Sequence, residues 1–239
     1  MKIGVITDIH NNVIALNSII QLFEKNECSE ILCCGDIIGI GPFPEETVQT
    51  IKSCTNIKCI LGNHERYLID GIKSPYPNAM SKNEVLHHEW EHGLLSNNSK
   101  NYIKQLPYIL RLNRGNLKIV VVHYSIDKDC KYINLKVNPN ITDCEKMFYD
   151  IDADIILYGH DHMGSVVYGN NKLYINCGSL GCTSTNKGIA QGGILTIDGN
   201  GTTFQKVFAE YNLQNVIEKI DSIKYPGYED IKKIFYGAK

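Results

Sequence analysis

The chain is poor in the features that mark specialised classes of protein. It has one Trp and seven Pro among 239 residues, no internal repeat, no low-complexity segment and no clear interdomain linker. No apolar run approaches the length of a membrane span, which excludes a membrane helix. Neither sign of charge is in excess: 24 Lys and Arg face 26 Asp and Glu, for a net charge of -2. That balance gives no electrostatic reason to expect nucleic acid or a membrane surface as the main partner. Met1 is followed by one Lys and then a strand-like run, without the leader of a signal peptide, so a cytoplasmic location is expected. No Cys-x-x-Cys pair occurs, and the nine cysteines are odd in number. Reduced thiols fit this better than a disulfide framework or a zinc ribbon. Cys33, Cys34 and Cys59 fall in strand-like runs, where a thiol packs as a small apolar side chain.

What is present is ordinary in bulk and specific in detail. Hydrophobic residues make up 43% and charged residues 21%, as in a globular protein with a full core. A single domain over residues 1–239 is expected, with room for one insertion. The N-terminus organises the rest. Residues 3–6 form a short β-branched run, as in a strand buried on both faces, and it leads into Asp8-Ile9-His10. Side chains two apart on an extended chain point the same way, so Asp8 and His10 can converge on one cation.

The pattern then repeats. Val13, Leu16, Ile19, Ile20 and Phe23 recur at helical spacing; residues 30–36 form a second apolar strand ending in Gly35-Asp36; residues 44–54 form a helix with Pro44 in its first turn. A third strand, residues 57–61, runs into Gly62-Asn63-His64-Glu65. In open α/β sheets functional groups gather at the carboxyl ends of strands, and three successive strand ends here carry metal-competent side chains. Residues 66–114 break the rhythm. They hold a Pro-containing loop at 74–77 and helices over 81–95 and 99–106, the first opened by a capping box of Ser81 and Glu84. The segment reads as a helical insertion. Its His87, His88, Trp90 and His92 read as surface and packing side chains, with a substrate-facing lid in which Trp90 stacks on a base as the sharper alternative.

Residues 117–122 form the next strand and end in His123; a loop over 127–140 and a helix over 141–151 follow; residues 154–158 end in Gly159-His160-Asp161-His162. His160 and His162 repeat the geometry of Asp8 and His10. Beyond residue 165 the pattern becomes antiparallel, with hairpins over 165–176 and 192–209 and helices over 212–223 and 228–236. Five of the eight histidines stand at strand ends. One metal takes about three or four protein ligands, so Asp8, His10, Asp36, Asn63, His123, His160 and His162 suffice for two, with Asp36 as the natural bridge.

The ordered set Asp-x-His, Gly-Asp-x-x-Gly, Gly-Asn-His-Glu, a lone His after a strand, and Gly-His-x-His resembles the calcineurin-like metallophosphoesterase superfamily. The resemblance runs from residue 2 to about residue 181. The length, the Gly39-Ile40-Gly41-Pro42 run and the 176–181 loop resemble its small bacterial branch of YfcE-like phosphodiesterases and diadenosine tetraphosphatase-related proteins. The resemblance implies an α/β (α+β) fold, a sandwich of two mixed β-sheets flanked by helices. It implies Asp8, His10, Asp36 and His162 on one metal, Asp36, Asn63, His123 and His160 on the other, and His64 as the acid that meets the leaving group. Two features depart from the superfamily's protein Ser/Thr phosphatases: Gly39 stands where their second motif has an Asp that orients the catalytic His, and the following Arg is absent. Ile40 replaces a customary Tyr.

The chemistry expected of such a centre is hydrolysis of a phosphate ester or anhydride. Two divalent cations neutralise phosphate oxygens and acidify a bridging water, the hydroxide attacks phosphorus in line, and His64 protonates the departing oxygen. Mixed nitrogen and oxygen ligation favours Mn²⁺, with Fe or Zn²⁺ as alternatives. Arg66 is a candidate phosphate contact and Glu65 a support for the ligands. The expected substrate is a small phosphorylated molecule such as a phosphodiester, a nucleotide or a dinucleoside polyphosphate. A general phosphomonoesterase or phosphoprotein phosphatase, and a scaffold that kept the fold without the chemistry, are the alternatives. Assembly of identical copies is left open.

Overall fold

The first strand, β1 (Lys2–Ile6), is buried along nearly its whole length because each face meets a different layer. Ile3 and Val5 point into the space between two sheets, while Ile6 packs under the first helix, α1 (Val13–Lys25), against Leu16, Ile19 and Phe23. The computed structural model describes residues 1–74, 76, 80–127, 132–133, 135–183, 187–199 and 201–238. Parts of the loops expected at 74–77 and 127–140, and one residue of the turn inside the second hairpin, lie outside them.

β1 pairs in parallel with β2 (Glu30–Cys33), which pairs in parallel with β3 (Ile57–Cys59). The helix α2 (Pro44–Ser53) makes the crossover between β2 and β3. On its other side β1 pairs antiparallel with β9 (Ile189–Asp198), and β9 with β10 (Gly201–Glu210). The first sheet is therefore ordered β10-β9-β1-β2-β3. A second sheet of β4 (Ile109–Arg114), β5 (Leu117–Val122), β6 (Ile155–Tyr158), β7 (Ser165–Tyr168) and β8 (Leu173–Asn176) has the order β4-β5-β6-β8-β7, with β5, β6 and β8 parallel. Ile3, Val5 and Leu32 from the first sheet meet Ile119, Val121, Leu157 and Ile175 from the second. Each such side chain contributes about 1.5–3 kcal/mol on burial. The outer face of the second sheet is covered by α6 (Ile141–Met147) through Cys144 and by Phe148 just beyond it. Two mixed five-stranded sheets with eight helices among the described residues make the expected sandwich.

Residues 66–114 are not wholly helical. They contain most of α3 (Asn63–Asp70), all of α4 (Lys82–Leu94) and α5 (Asn97–Lys104), and then β4, which pairs antiparallel along β5. Leu110 and Leu112 of β4 turn inward while Arg111 and Asn113 turn out, the alternation of an edge strand. The C-terminal α7 (Leu213–Ile223) and α8 (Tyr228–Tyr236) pack through Val216, Ile220 and Tyr236 into a separate cluster with Cys182, Phe43 and Trp90. The eight described cysteines are all free thiols. No described helix is long and apolar enough to cross a membrane.

Candidate metal centre

The parallel strands β1, β2 and β3 of one sheet and β5 and β6 of the other deliver their carboxyl ends to one edge of the sandwich. Asp8 and His10 follow β1, Asp36 follows β2, Asn63 and His64 open α3 after β3, His123 follows β5, and His160 and His162 follow β6. All seven ligand candidates converge there. Asp8, His10 and His162 offer ligand atoms within 4.8 Å of one another, and so do Asp36, His123 and His160. Asp36 belongs to a further group with His10 and His64, so its carboxylate lies between the two clusters. Its Oδ2 is 3.3 Å from His123 Nε2, 3.8 Å from His64 Nε2 and 3.9 Å from His10 Nε2.

The protonation pattern asks for cations. His10 Nδ1 donates to Ile38 O at 3.1 Å and His123 Nδ1 to Cys34 O at 2.7 Å, which assigns the tautomers and turns both Nε2 lone pairs inward. His10 Nε2 then faces His162 Nε2 at 2.9 Å, and Asn63 Oδ1 faces His123 Nε2 at 3.0 Å. Imidazoles and carboxylates crowded in a buried site need positive charge among them, whether protons or metal ions. Burial, reinforced by His162 and His64, holds the His10 imidazole well below its usual pKa and therefore neutral, as a ligand must be. Burial and His123 likewise push His160 down to about 3. Burial opposes charge on His123 too, but the Asp36 carboxylate prevails and raises it to about 9. A cation bound there would take the place of that proton. Oxygen and imidazole donors without thiolate fit a divalent first-row metal.

The backbone is strained to aim these groups. Asp8, His10, Asp36, His160 and His162 all have φ between 50° and 77°. Such left-handed non-glycine residues cost about 1–3 kcal/mol each and persist where the surroundings impose them. Glu65 supplies part of that restraint. Fully buried, it accepts from the backbone N–H groups of Asp36, Ile37, Ile38 and Gly62 at 2.7–3.0 Å, tying the β2 loop to the start of α3. Burial and the Asp36 carboxylate push its pKa up to about 7 against those four donors. Asp8 is fixed by Thr7 Oγ1 at 2.8 Å and by the backbone N–H of His160.

The calcineurin-like phosphoesterase superfamily domain matches residues 1–200. The chain belongs to that superfamily. A curated relative, an uncharacterized protein of Methanocaldococcus jannaschii, is 26% identical over 94% of this chain and 93% of its own. Two solved structures share the fold over the whole chain. A hypothetical protein from Pyrococcus horikoshii OT3 superposes with TM-score 0.83 at 18% identity, covering 99% of that chain. A metallophosphoesterase from Sphaerobacter thermophilus superposes with TM-score 0.73 at 22% identity, also covering 99% of that chain. This chain is thus a metallophosphoesterase by family, a phosphoester hydrolase, and its buried His/Asp clusters suit a binuclear metal site.

Beside this metallophosphoesterase centre lies a group without a signal in the sequence. His64, His88 and Glu91 bring ligand-type atoms within 4.8 Å of one another. Glu91 Oε2 accepts from Asn11 Nδ2 at 2.7 Å and Gly39 N at 2.8 Å, and Oε1 pairs with His88 Nδ1 at 2.6 Å. A carboxylate from α4 thus reaches Gly39, the position at which the superfamily's protein phosphatases carry their Asp. Gly39 has φ +95°, and a Cβ there would stand 2.1 Å from His64 Nδ1, so the imidazole occupies the space of that side chain. His64 Nδ1 is buried without a hydrogen-bond partner, and its ring packs 5.0 Å from that of His88. A charged residue inside a weakly amphipathic helix reads as surface, which is why Glu91 escapes notice in the sequence.

The two candidate substrate contacts each have partners of their own. Trp90 is not brought to the cluster: its ring stacks on Tyr225 at 4.5 Å and 19°, within the packing of α7 and α8. Arg66 donates through Nε and Nη2 to Asp70 Oδ2 at 3.1 and 3.0 Å, one turn along α3, and lies 5.3 Å over the Tyr108 ring.

Proposed function

We propose that this metallophosphoesterase is a binuclear metal-dependent hydrolase of phosphate esters or anhydrides, acting on a phosphodiester, nucleotide or dinucleoside polyphosphate in the cytoplasm, with Mn²⁺ as the favoured metal. One observation carries the reading: two His/Asp clusters lie at the edge where five strand ends meet, and Asp36 of one also groups with His10 of the other. Asp8, His10, Asp36 and His162 would hold one ion, and Asp36, Asn63, His123 and His160 the other. When bound, the two ions supply Lewis-acid activation of water and neutralise charge at phosphorus.

The rest falls to the chain's own side chains. Asp36 offsets charge at both positions at once. His10 and His123, fixed by backbone carbonyls, keep their lone pairs aimed inward. His64 stands beside Asp36, its Nε2 3.8 Å from Oδ2, and is partly open to solvent. That is the place for a proton donor at a departing oxygen. Glu91 braces His88, and His88 packs against His64.

A proton donor matters in proportion to how poor the leaving group is, whereas a lost ligand harms every substrate alike. His64→Asn should therefore retain two ions, lose about 10²–10⁴-fold on alkyl or nucleoside esters, and lose distinctly less on p-nitrophenyl esters. The experiment is metal content with kcat over a leaving-group series. A parallel drop across the series, or loss of one ion, would move His64 into the coordination sphere.

A further inference from the structure

A cleft of about 510 Å³ opens from the metal centre between α4, α8 and the turn before α8. One end is His64. Phe235 lines it too, and its ring lies 6.3 Å from that of His162. A group leaving toward His64 has this space open to it, since a general acid has to sit within hydrogen-bond reach of the oxygen it protonates. The volume falls in the range of small-molecule sites.

The lining has a definite chemistry. Ile40, Pro226, Ile231, Ile234 and Phe235 make an apolar wall. Its acidic side chains are Glu84 and Asp230, its basic ones are the imidazoles of His64, His87 and His88, of which His88 is paired with Glu91, and no described Lys or Arg lines it. Both helices that open on the cleft present acids at their N-termini. Glu84 accepts from Ser81 N at 2.6 Å in the capping box of α4, and Glu229 and Asp230 occupy the first turn of α8. The positive ends of the helix dipoles are thus met by the chain's own carboxylates. A phosphate chain entering here would meet two carboxylates and, among the described residues, no Lys or Arg to offset them.

The wall is held in place. Lys187 Nζ donates to the carbonyls of Thr183, Ile234 and Phe235 at 2.8–2.9 Å, fixing the last turn of α8. Tyr225 OH donates to Ile40 O at 3.0 Å, joining the turn before α8 to the loop after β2. The apolar face is therefore built by residues far apart in the chain and tied to the loop after β2.

We infer that this cleft receives the leaving group, and that it selects a partly apolar alcohol without negative charge over one that carries phosphate or carboxylate. The inference rests on the hydrolase reading and narrows it. The preferred substrate is a phosphoester of an uncharged alcohol of aryl or nucleoside size, and dinucleoside polyphosphates, whose departing half is itself anionic, are poor substrates.

The test uses metal-loaded full-length protein and the methyl phosphodiesters of phenol, 4-(carboxymethyl)phenol and tyramine. Their phenolic acidities nearly match, so charge is the main variable. The carboxymethyl ester should show kcat/KM about tenfold or more below the phenyl ester, and the tyramine ester should equal or exceed it. In Glu84→Gln/Asp230→Lys the carboxylate penalty should shrink to about twofold or less, with unchanged metal content and far-ultraviolet circular dichroism. Gln keeps the capping box, so folding is preserved at that position. Equal turnover of the phenyl and carboxymethyl esters, or an unchanged penalty in the folded, metal-loaded variant, would overturn the inference while leaving the hydrolase reading intact. If protein holding two ions cleaves none of the three but does cleave a nucleotide or a dinucleoside polyphosphate, the inference is overturned and the hydrolase reading stands; if it cleaves no phosphoester or anhydride at all, both fail.

Discussion

Glu91 is the residue whose removal should cost most outside the ligand set. Its side chain is 0% exposed and accepts three hydrogen bonds, from Asn11, Gly39 and His88. Burial alone would raise its pKa, yet the hydrogen bond and charge of His88, with His87 and His92 nearby, hold it well below the carboxylate range. Glu91→Gln keeps the shape and removes the charge. The amide cannot accept at both ends, so either the Gly39 and Asn11 donors or His88 loses its acceptor. Hydrogen bonds to a charged group contribute about 1.5–3 kcal/mol each, and breaking a buried charged pair costs about 3–5 kcal/mol. Taking about 3 kcal/mol, Tm should fall by roughly 6–12 °C for a domain of this size. The folded carboxyl has a depressed pKa, so its contribution is complete above its ordinary pKa and is lost only as pH falls. The Tm difference between wild type and Glu91→Gln should therefore be flat between about pH 5 and 8. Thermal unfolding followed by circular dichroism across that range is the assay. A shift under about 2 °C would show that the charge is not what holds α4 to the β2 loop.

Other consequences are as direct. Because Trp90 stacks on Tyr225 and not on the centre, Trp90→Ala should cost about 2–4 kcal/mol of stability and change KM equally for nucleotide and p-nitrophenyl substrates; a rise confined to nucleotides would mean that Trp90 reaches substrate. His87 is 4% exposed, and burial lowers its imidazole to about 4 despite Glu91 nearby. A group depressed on folding binds its proton first in the unfolded chain, so stability is full above about pH 6.5 and falls by about 3 kcal/mol as pH drops through 4. His87→Gln should flatten that limb of the stability curve relative to wild type; an identical acid limb would show that His87 does not contribute to it.

The centre was legible because it depends on a rule local in sequence and global in space. Short β-branched runs make parallel strands, and parallel strands bring their ends to one edge. Asp8, Asp36, Asn63, His123 and His160 could therefore be grouped without knowing any loop. The left-handed backbone of Asp8, His10, Asp36, His160 and His162 could not be foreseen, since it is imposed by partners such as Glu65 and Thr7. α3 was hidden because its first turn is the metal-site motif itself, which reads as loop. β4 was hidden among helices, although Leu110 and Leu112 alternate with Arg111 and Asn113. Trp90 carried no local sign of its partner, because Tyr225 arrives from the far end of the chain. Glu91 was missed for the same reason in reverse: an acid on a polar helix announces itself as solvated until Gly39 and Asn11 are seen against it.

The account rests on two metal ions joined by one carboxylate, and metal analysis of Asp36→Asn beside wild type tests it most directly. Wild type dialysed to saturation with Mn²⁺ should hold close to two ions per chain, should lose phosphodiester hydrolysis in chelator, and should regain it with Mn²⁺. Asp36→Asn keeps the size of the side chain but not the charge between the clusters, so occupancy and turnover should fall together. Two ions and normal turnover in Asp36→Asn, or full wild-type activity after exhaustive chelation, would contradict it.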